Sequence, residues 1–369
     1  MTINFRRRLW LKQALAFALS NAISPLNRSL ASQSQNIDDM IFGGGRYQTS
    51  HNAPFQYVLS KVQPQIGNIK TIATPFFPHG FALSRNAIAY VFEKIGKGAG
   101  VVNLRTMEWL ETIPSISGRL FYGHGACHHD KNLLFSTETL ANEQGAIGVR
   151  DSNTLQYLGD FPTFGANPHD CHLIDNGKVL LVTNGGGDQT SHLTPSICYI
   201  DVNSQKLLDR IEMSDHRFNT GHTVHVKNHN AIVVSAPRKG WGVDHLGAIS
   251  VVNQNNKLQV INEPSHIVQN MYGEALSVAL ISDKDLFIVT HPTPGMVTIW
   301  QLSTNKLLKK LDLPHARGVV LTTNRQAVWI SHDSQAHLTR INLKNLEIEA
   351  DSKIINTFIT GSHLVNWPI

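Results

Sequence analysis

One short pattern, a polar residue leading an apolar stretch, returns along this chain at spacings of 45, 45, 53, 52 and 43 residues. It opens at Pro78-His79-Gly80-Phe81, Gly123-His124-Gly125-Ala126, Pro168-His169-Asp170-Cys171 and Gly221-His222-Thr223-Val224, then at weaker copies led by Glu274 and Arg317. About ten positions on lies a second apolar run (87–91, 133–137, 179–183, 231–235, 286–290, 327–331), rich in branched residues and too short for a helix. A third run, usually opened by glycine, falls at 145–151, 196–201, 247–253, 295–300 and 337–342, and a fourth, such as 155–159 or 206–211, completes the unit. Four short strands at such a period describe a propeller blade, since these repeats run roughly 40–50 residues.

Six units begin at His79, His124, His169, His222, Glu274 and Arg317, leaving 38–77 and 355–369 over. Residues 361–366 match a leading strand, with Ser362 or His363 at the polar position, and 40–42, 55–59 and 69–73 supply its partners. The expectation is an all-β chain: one seven-bladed β-propeller over 32–369, four antiparallel strands per blade, closed by pairing the N- and C-terminal strands. Closure removes the exposed sheet edges that make an open β array hazardous.

Residues 1–31 read as an export leader. Arg7-Arg8-Leu9-Trp10-Leu11-Lys12 fits the twin-arginine pattern, an apolar run spans 14–23, and Ser29-Leu30-Ala31 is a small-residue cleavage site. That run falls short of the roughly 20 residues a membrane span needs, and no other segment is apolar enough. The expected location is therefore periplasmic, with no membrane span once the leader is gone. The leader holds five basic residues (Arg6, Arg7, Arg8, Lys12, Arg28) and no acidic one, so its removal takes the formal charge from +5 to zero. Without a basic surface in the folded part, nucleic acid is excluded as a partner. Cys127, Cys171 and Cys198 lack metal or framework spacing and read as small buried hydrophobes, with one disulfide left open.

In an up-and-down blade, strand 1 starts on the face where strand 2 ends. The leaders His79, His124, His169, His222, Glu274 and Arg317 should therefore crowd the mouth of a central channel. The loops between strands 2 and 3 add Glu93, Glu138, Asn184, His192, Arg238, His245, His291 and His332, with Trp241 as an apolar wall. Two of these loops, 184–194 and 236–246, are long and suited to cover the mouth. Four imidazoles from neighbouring strands point to a transition metal, iron, copper or zinc, held by His79, His124, His169 and His222. Glu274 would add an oxygen, and Arg317 would bind an anionic group or pair with Glu274. Period-two alternation sends Asp170 and His172 away from this ring.

Phe121-Tyr122-Gly123-His124-Gly125, Leu134-Phe135-Ser136-Thr137-Glu138, the run 145–151 and Pro168-His169-Asp170 followed by Val182-Thr183-Asn184-Gly185-Gly186 together resemble the exported bacterial proteins grouped as domain of unknown function 1513. That family usually reads Pro-His-Glu at 168–170, so Asp170 keeps the carboxylate. The resemblance implies a periplasmic propeller of the quinoprotein-like or YVTN-like kind, found beside imelysin-like iron-uptake proteins, with no established activity. Two function classes follow. One is a binding protein taking a metal ion, a small ligand or a metal-uptake partner through the histidine face. The other is a metal-dependent lyase, hydrolase or oxidoreductase using the same His/Glu/Arg face.

Overall fold

The computed structural model describes residues 38–187, 193–227, 230–242 and 245–368. The expected leader and His192 lie outside them. The described chain is all-β, with short helical turns between strands. Among the described residues no helix is long and apolar enough to cross a membrane.

Strands consecutive in sequence pair antiparallel, in fours. One quartet comprises Pro78–Leu83, Ile88–Glu93, Ala99–Asn103 and Glu108–Thr112, and the next Arg119–His128, Leu133–Leu140, Gln144–Asp151 and Tyr157–Ala166. Two others run Val278–Ile281, Leu286–His291, Met296–Gln301, Leu307–Asp312 and Val319–Leu321, Ala327–His332, His337–Asn342, Glu347–Ile348. Between them an eight-stranded sheet contains the quartets that start at Pro168–Ile174 and Thr223–His225, joined at their outer edges by a two-residue parallel bridge, Glu212 to Lys257 and Met213 to Leu258. A further sheet draws on both chain ends, with Val365–Asn366 pairing antiparallel with Ile41–Tyr47, then Gln56–Gln63 and Asn68–Ala73.

The second strands Val179–Asn184, Ala231–Ser235, Leu286–His291 and Ala327–His332 are buried along their whole length, because each of their sheets has another packed on both faces. The apolar clusters lie between sheets. Ile147, Phe161, Leu180 and Ile200 join one pair of neighbouring quartets, and Ile288, Ile299, Val328 and Ile341 another. Phe42 and Leu59 pack with Val91 and Leu104, while Ile41 and Val62 pack with Trp329 and Leu338. Each such side chain, fully buried, stabilises by roughly 1.5–3 kcal/mol. Asp39 fastens the chain ends. Its buried carboxylate accepts from Thr323 N–H (2.7 Å), Asn366 Nδ2 (2.8 Å) and Trp329 Nε1 (2.9 Å).

The leading strands converge, Pro78–Leu83 touching Arg119–His128 and the latter touching Pro168–Ile174. Each carries an irregularity near its start. Register shifts fall between Pro78 and Gly80, Phe121 and Gly125, and Pro168 and Cys171, so one extra residue, or two between Phe121 and Gly125, sits opposite the second strand. Such a bulge breaks strict alternation and re-aims side chains. A repeated hydrogen bond marks it: the backbone N–H of His124, Asp170, Ser277 and Gly318 donates to the hydroxyl of Thr137, Thr183, Thr290 and Ser331, respectively.

Candidate metal centre

These bulges decide which side chains meet. Gly221 N–H donates to Val234 O and Val234 N–H to His222 O; the same exchange links Leu276 and Ser277 to Thr290, and Arg317 and Gly318 to Ser331. With the hydroxyl bonds, this equates His124, Asp170, His222, Ser277 and Gly318 across the quartets. The expected common address is thus corrected in three places. Ser277 stands where Glu274 was expected, because the segment before it holds the short helix Ser265–Val268 and is longer than its counterparts. Arg317 and His169 sit one position earlier, on the first bulge residue, and Asp170 takes the position aligned with His124.

His79, His124, His169 and His222 nevertheless converge, with one ring nitrogen from each within 4.8 Å of all the others. His363 joins them as a fifth imidazole, its ring centroid 4.2 Å from His222, 4.6 Å from His124 and 4.8 Å from His79. The glycines permit this crowding. A Cβ on Gly80 would lie 2.2 Å from Gly123 O and 2.8 Å from His124 Nδ1; Gly123, at φ +107°, also faces the His79 ring.

The hydrogen bonds set the tautomers. His222 Nδ1 faces the Leu276 carbonyl, which can only accept, so Nδ1 carries the proton and Nε2 presents a lone pair. His222 Nε2 lies 2.8 Å from His169 Nε2. His124 Nδ1 faces Asp170 Oδ1 at 3.3 Å, which leaves its Nε2 inward with no partner. The Nε2 atoms of His79 and His363 are likewise buried and unpartnered. Unbonded nitrogens aimed at one point, backed by a carboxylate and a carbonyl, form a donor set for a soft or borderline cation.

Electrostatics keeps the imidazoles neutral. Burial is the largest cause, pushing His124 down to about 3 against the pull of Asp170. Burial, then the other rings, holds His79, His169 and His363 well below the ordinary histidine value. Burial also lowers His222. Asp170 goes the other way: burial would raise it, but His172 and His124 outweigh that and hold it well below the usual carboxylate range. Its Oδ2 accepts from His172 Nε2 (2.9 Å) and from Thr223 N–H (3.0 Å), bracing the next leading strand.

The cluster stands between two cavities. A cleft of ≈ 340 Å³ is lined by His169, His222, Lys94, Tyr122, Arg238, Trp241 and Glu274. A smaller one of ≈ 200 Å³ is lined by His124, Asp170, His172, His222 and His363, so His222 faces both. Arg238 stacks on Trp241, 4.3 Å from the ring centroid, and donates to the carbonyls of His216 and Gly187. Gly185–Gly187 and Pro237–Trp241 wall the cleft from the two long loops, whose middles lie outside the described residues. Glu274 and Arg317 form no ion pair among the described residues; from farther away Glu274 offsets the burial that lowers the Arg317 guanidinium.

Glu138 and Asn184 are not brought to the cluster. Since Thr137 and Thr183 face the bulges, alternation turns the next residues to the opposite face of their sheets. Glu138 there accepts from Arg150 Nη1 at 2.8 Å, both side chains fully buried, and Asn184 donates to Thr163 O and Cys198 Sγ. His291 hydrogen-bonds Thr298 Oγ1 from the equivalent position. Cys127, Cys171 and Cys198 are free thiols. Alternation alone sends Asp170 away from the ring, and the bulge that overrides alternation leaves no single-residue signature in the sequence.

The fold is propeller-like. It is similar to the Kuenenia stuttgartiensis hydrazine synthase (TM-score 0.65, 13% identity, 78% of this chain and 92% of that one). It also matches a Lactobacillus plantarum protein (TM-score 0.63, 12% identity, 89% and 99%) and dihydro-heme d1 dehydrogenase NirN in complex with DHE (TM-score 0.56, 11% identity, 85% and 66%). No curated protein matches the chain. The family model described as protein of unknown function (DUF1513) matches residues 73–358, and the chain belongs to that family.

Proposed function

We propose that this protein is an exported, periplasmic seven-bladed propeller that holds a first-row transition-metal ion through His79, His124, His169 and His222, with His363 as a further ligand. The observation that carries the proposal is the convergence of four ring nitrogens within 4.8 Å, on three buried histidines and the half-buried His169, with the Nε2 atoms of His79, His124 and His363 unpartnered. Bonds of about 2.0–2.1 Å to imidazole bring such nitrogens onto one ion after small movements. Asp170 and the Leu276 carbonyl act as the outer partners that orient metal-bound histidines. Seven blades in a closed ring are supported by the antiparallel quartets, the pairing of Val365–Asn366 with Ile41–Tyr47, and apolar clusters linking each quartet to the next, the two ends included. The twin-arginine pattern at Arg7-Arg8 supports export of a folded, metal-loaded protein.

The role of the site is capture or presentation of the ion, to a small ligand or to a metal-uptake partner docking over the cleft. A second reading, a metal-dependent lyase or hydrolase, is favoured by the ≈ 340 Å³ cleft, of a size that suits a small molecule, beside His169 and His222. In that reading Lys94 and Arg238 attract an anionic substrate and Glu274 exchanges a proton. Elemental analysis of the protein purified from the periplasm tests the shared claim. A metal retained in stoichiometric amount and lost on substitution of His124 and His169 supports it; metal-free protein that takes up no added zinc or copper refutes it.

A further inference from the structure

The hairpin joining Ala327–His332 to His337–Asn342 carries another cluster, built from other side chains. His332 and His337 are register partners across the hairpin, their ring centroids 5.7 Å apart. Asp333, in the turn, places Oδ2 3.5 Å from His337 Nδ1. One ligand atom each from His332, Asp333 and His337 lies within 4.8 Å of the other two.

Position 332 aligns with Glu138, Asn184 and His291, which point between sheets and hydrogen-bond within their own sheets, to Arg150, Cys198 and Thr298. His332 has no such partner. It is 7% exposed, and both of its ring nitrogens are buried without a hydrogen bond, as is Nδ1 of His337, which is 8% exposed. A buried polar atom left unpaired loses its water without compensation, and native folds rarely keep several at one place without a use. The turn holds the carboxylate ready: Gln335 N–H donates to Asp333 Oδ1 at 3.0 Å, Asp333 N–H donates to Pro314 O at 2.7 Å, and Oδ2 is left toward His337.

We propose that His332, Asp333 and His337 form a second binding site for a divalent first-row transition-metal ion, independent of the five-histidine cluster. Two imidazoles and one carboxylate suit zinc, iron(II), nickel or copper(II) and leave coordination positions open. Magnesium and calcium, which take oxygen ligands, are excluded by the same donor set.

The test is zinc titration of the chelator-stripped full chain by calorimetry, comparing wild type with His337→Ala, Asp333→Asn and His124→Ala. The expected result is a class of zinc sites that His337→Ala abolishes and Asp333→Asn weakens at least tenfold, while His124→Ala leaves it intact. Asn at 333 tolerates the left-handed turn (φ +70°) and keeps the turn hydrogen bond, so this variant folds even if His337→Ala does not. Zinc binding of unchanged stoichiometry and affinity in folded Asp333→Asn and His337→Ala overturns the proposal, as does displacement of the zinc by equimolar magnesium. Loss of the five-histidine site alone leaves this class in place, so the two sites fail separately.

Discussion

Asp170 Oδ1 lies 3.3 Å from His124 Nδ1, and its other oxygen accepts Thr223 N–H at 3.0 Å, so one buried carboxylate orients a ring of the cluster and anchors the following strand. Asp170→Asn removes the charge that fixes the His124 tautomer. Zinc affinity at the five-histidine site should fall about 10–100-fold, the usual effect of losing an outer-shell carboxylate. A competition titration with a chromophoric chelator measures it; unchanged affinity would show that the Asp170 charge does not tune the site.

Glu138 and Arg150 form an ion pair with both side chains buried and no link to the cluster. Glu138→Gln leaves the guanidinium without its counter-charge and should cost about 3–5 kcal/mol of stability. Guanidinium-chloride unfolding reads the loss, and metal affinity in the folded variant stays at the wild-type value.

Asp39 joins the two ends of the chain through hydrogen bonds from Thr323, Trp329 and Asn366 to its buried carboxylate. Asp39→Ala strands three donors, and hydrogen bonds to a charged group are worth about 1.5–3 kcal/mol each. The variant should unfold at lower denaturant and be cut by protease near 38–47 well before wild type. Wild-type protease resistance would argue against a ring held shut at this seam.

Acid should destabilise the metal-free protein. Burial holds His291 at about 3, far below the value near 6.5 of an unfolded histidine, and His124 is also at about 3. Above pH 6.5 both states are neutral at these rings and stability is full. As pH falls from 6.5 toward 3, only the unfolded chain takes up the protons, with a slope of about 1.4 kcal/mol per pH unit for each such ring. Denaturant midpoints measured from pH 8 to pH 4 should decline below 6.5, and His291→Gln should flatten the curve.

The period of the apolar runs made most of the strands legible: the expected 133–137, 179–183 and 231–235 became Leu133–Leu140, Val179–Asn184 and Ala231–Ser235. The convergence of His79, His124, His169 and His222 was legible for the same reason. Local register was not. A bulge is set by the pairing of two strands; alternation alone sends Asp170 away from the ring, whereas the bulge at 168–171 brings its carboxylate beside His124 while His169 still reaches the cluster. Spacing puts Glu138 and Asn184 in the loops at the mouth, yet both lie in second strands, and the hydroxyls of Thr137 and Thr183 before them take the inward face. The long segment before Ser277 displaces the expected Glu274, and spacing alone does not separate Ser362 from His363, whose ring contacts with His79, His124 and His222 do.

The most direct measurement is the metal content of periplasmic protein, wild type against His124→Ala/His169→Ala, by inductively coupled plasma mass spectrometry on folded, chelator-washed samples. The predicted result is that the double variant loses one full equivalent of a first-row metal per chain while retaining its circular dichroism spectrum. Equal metal content in the two proteins, or none in either before and after incubation with zinc and copper, would contradict a metal centre at the convergence of these histidines.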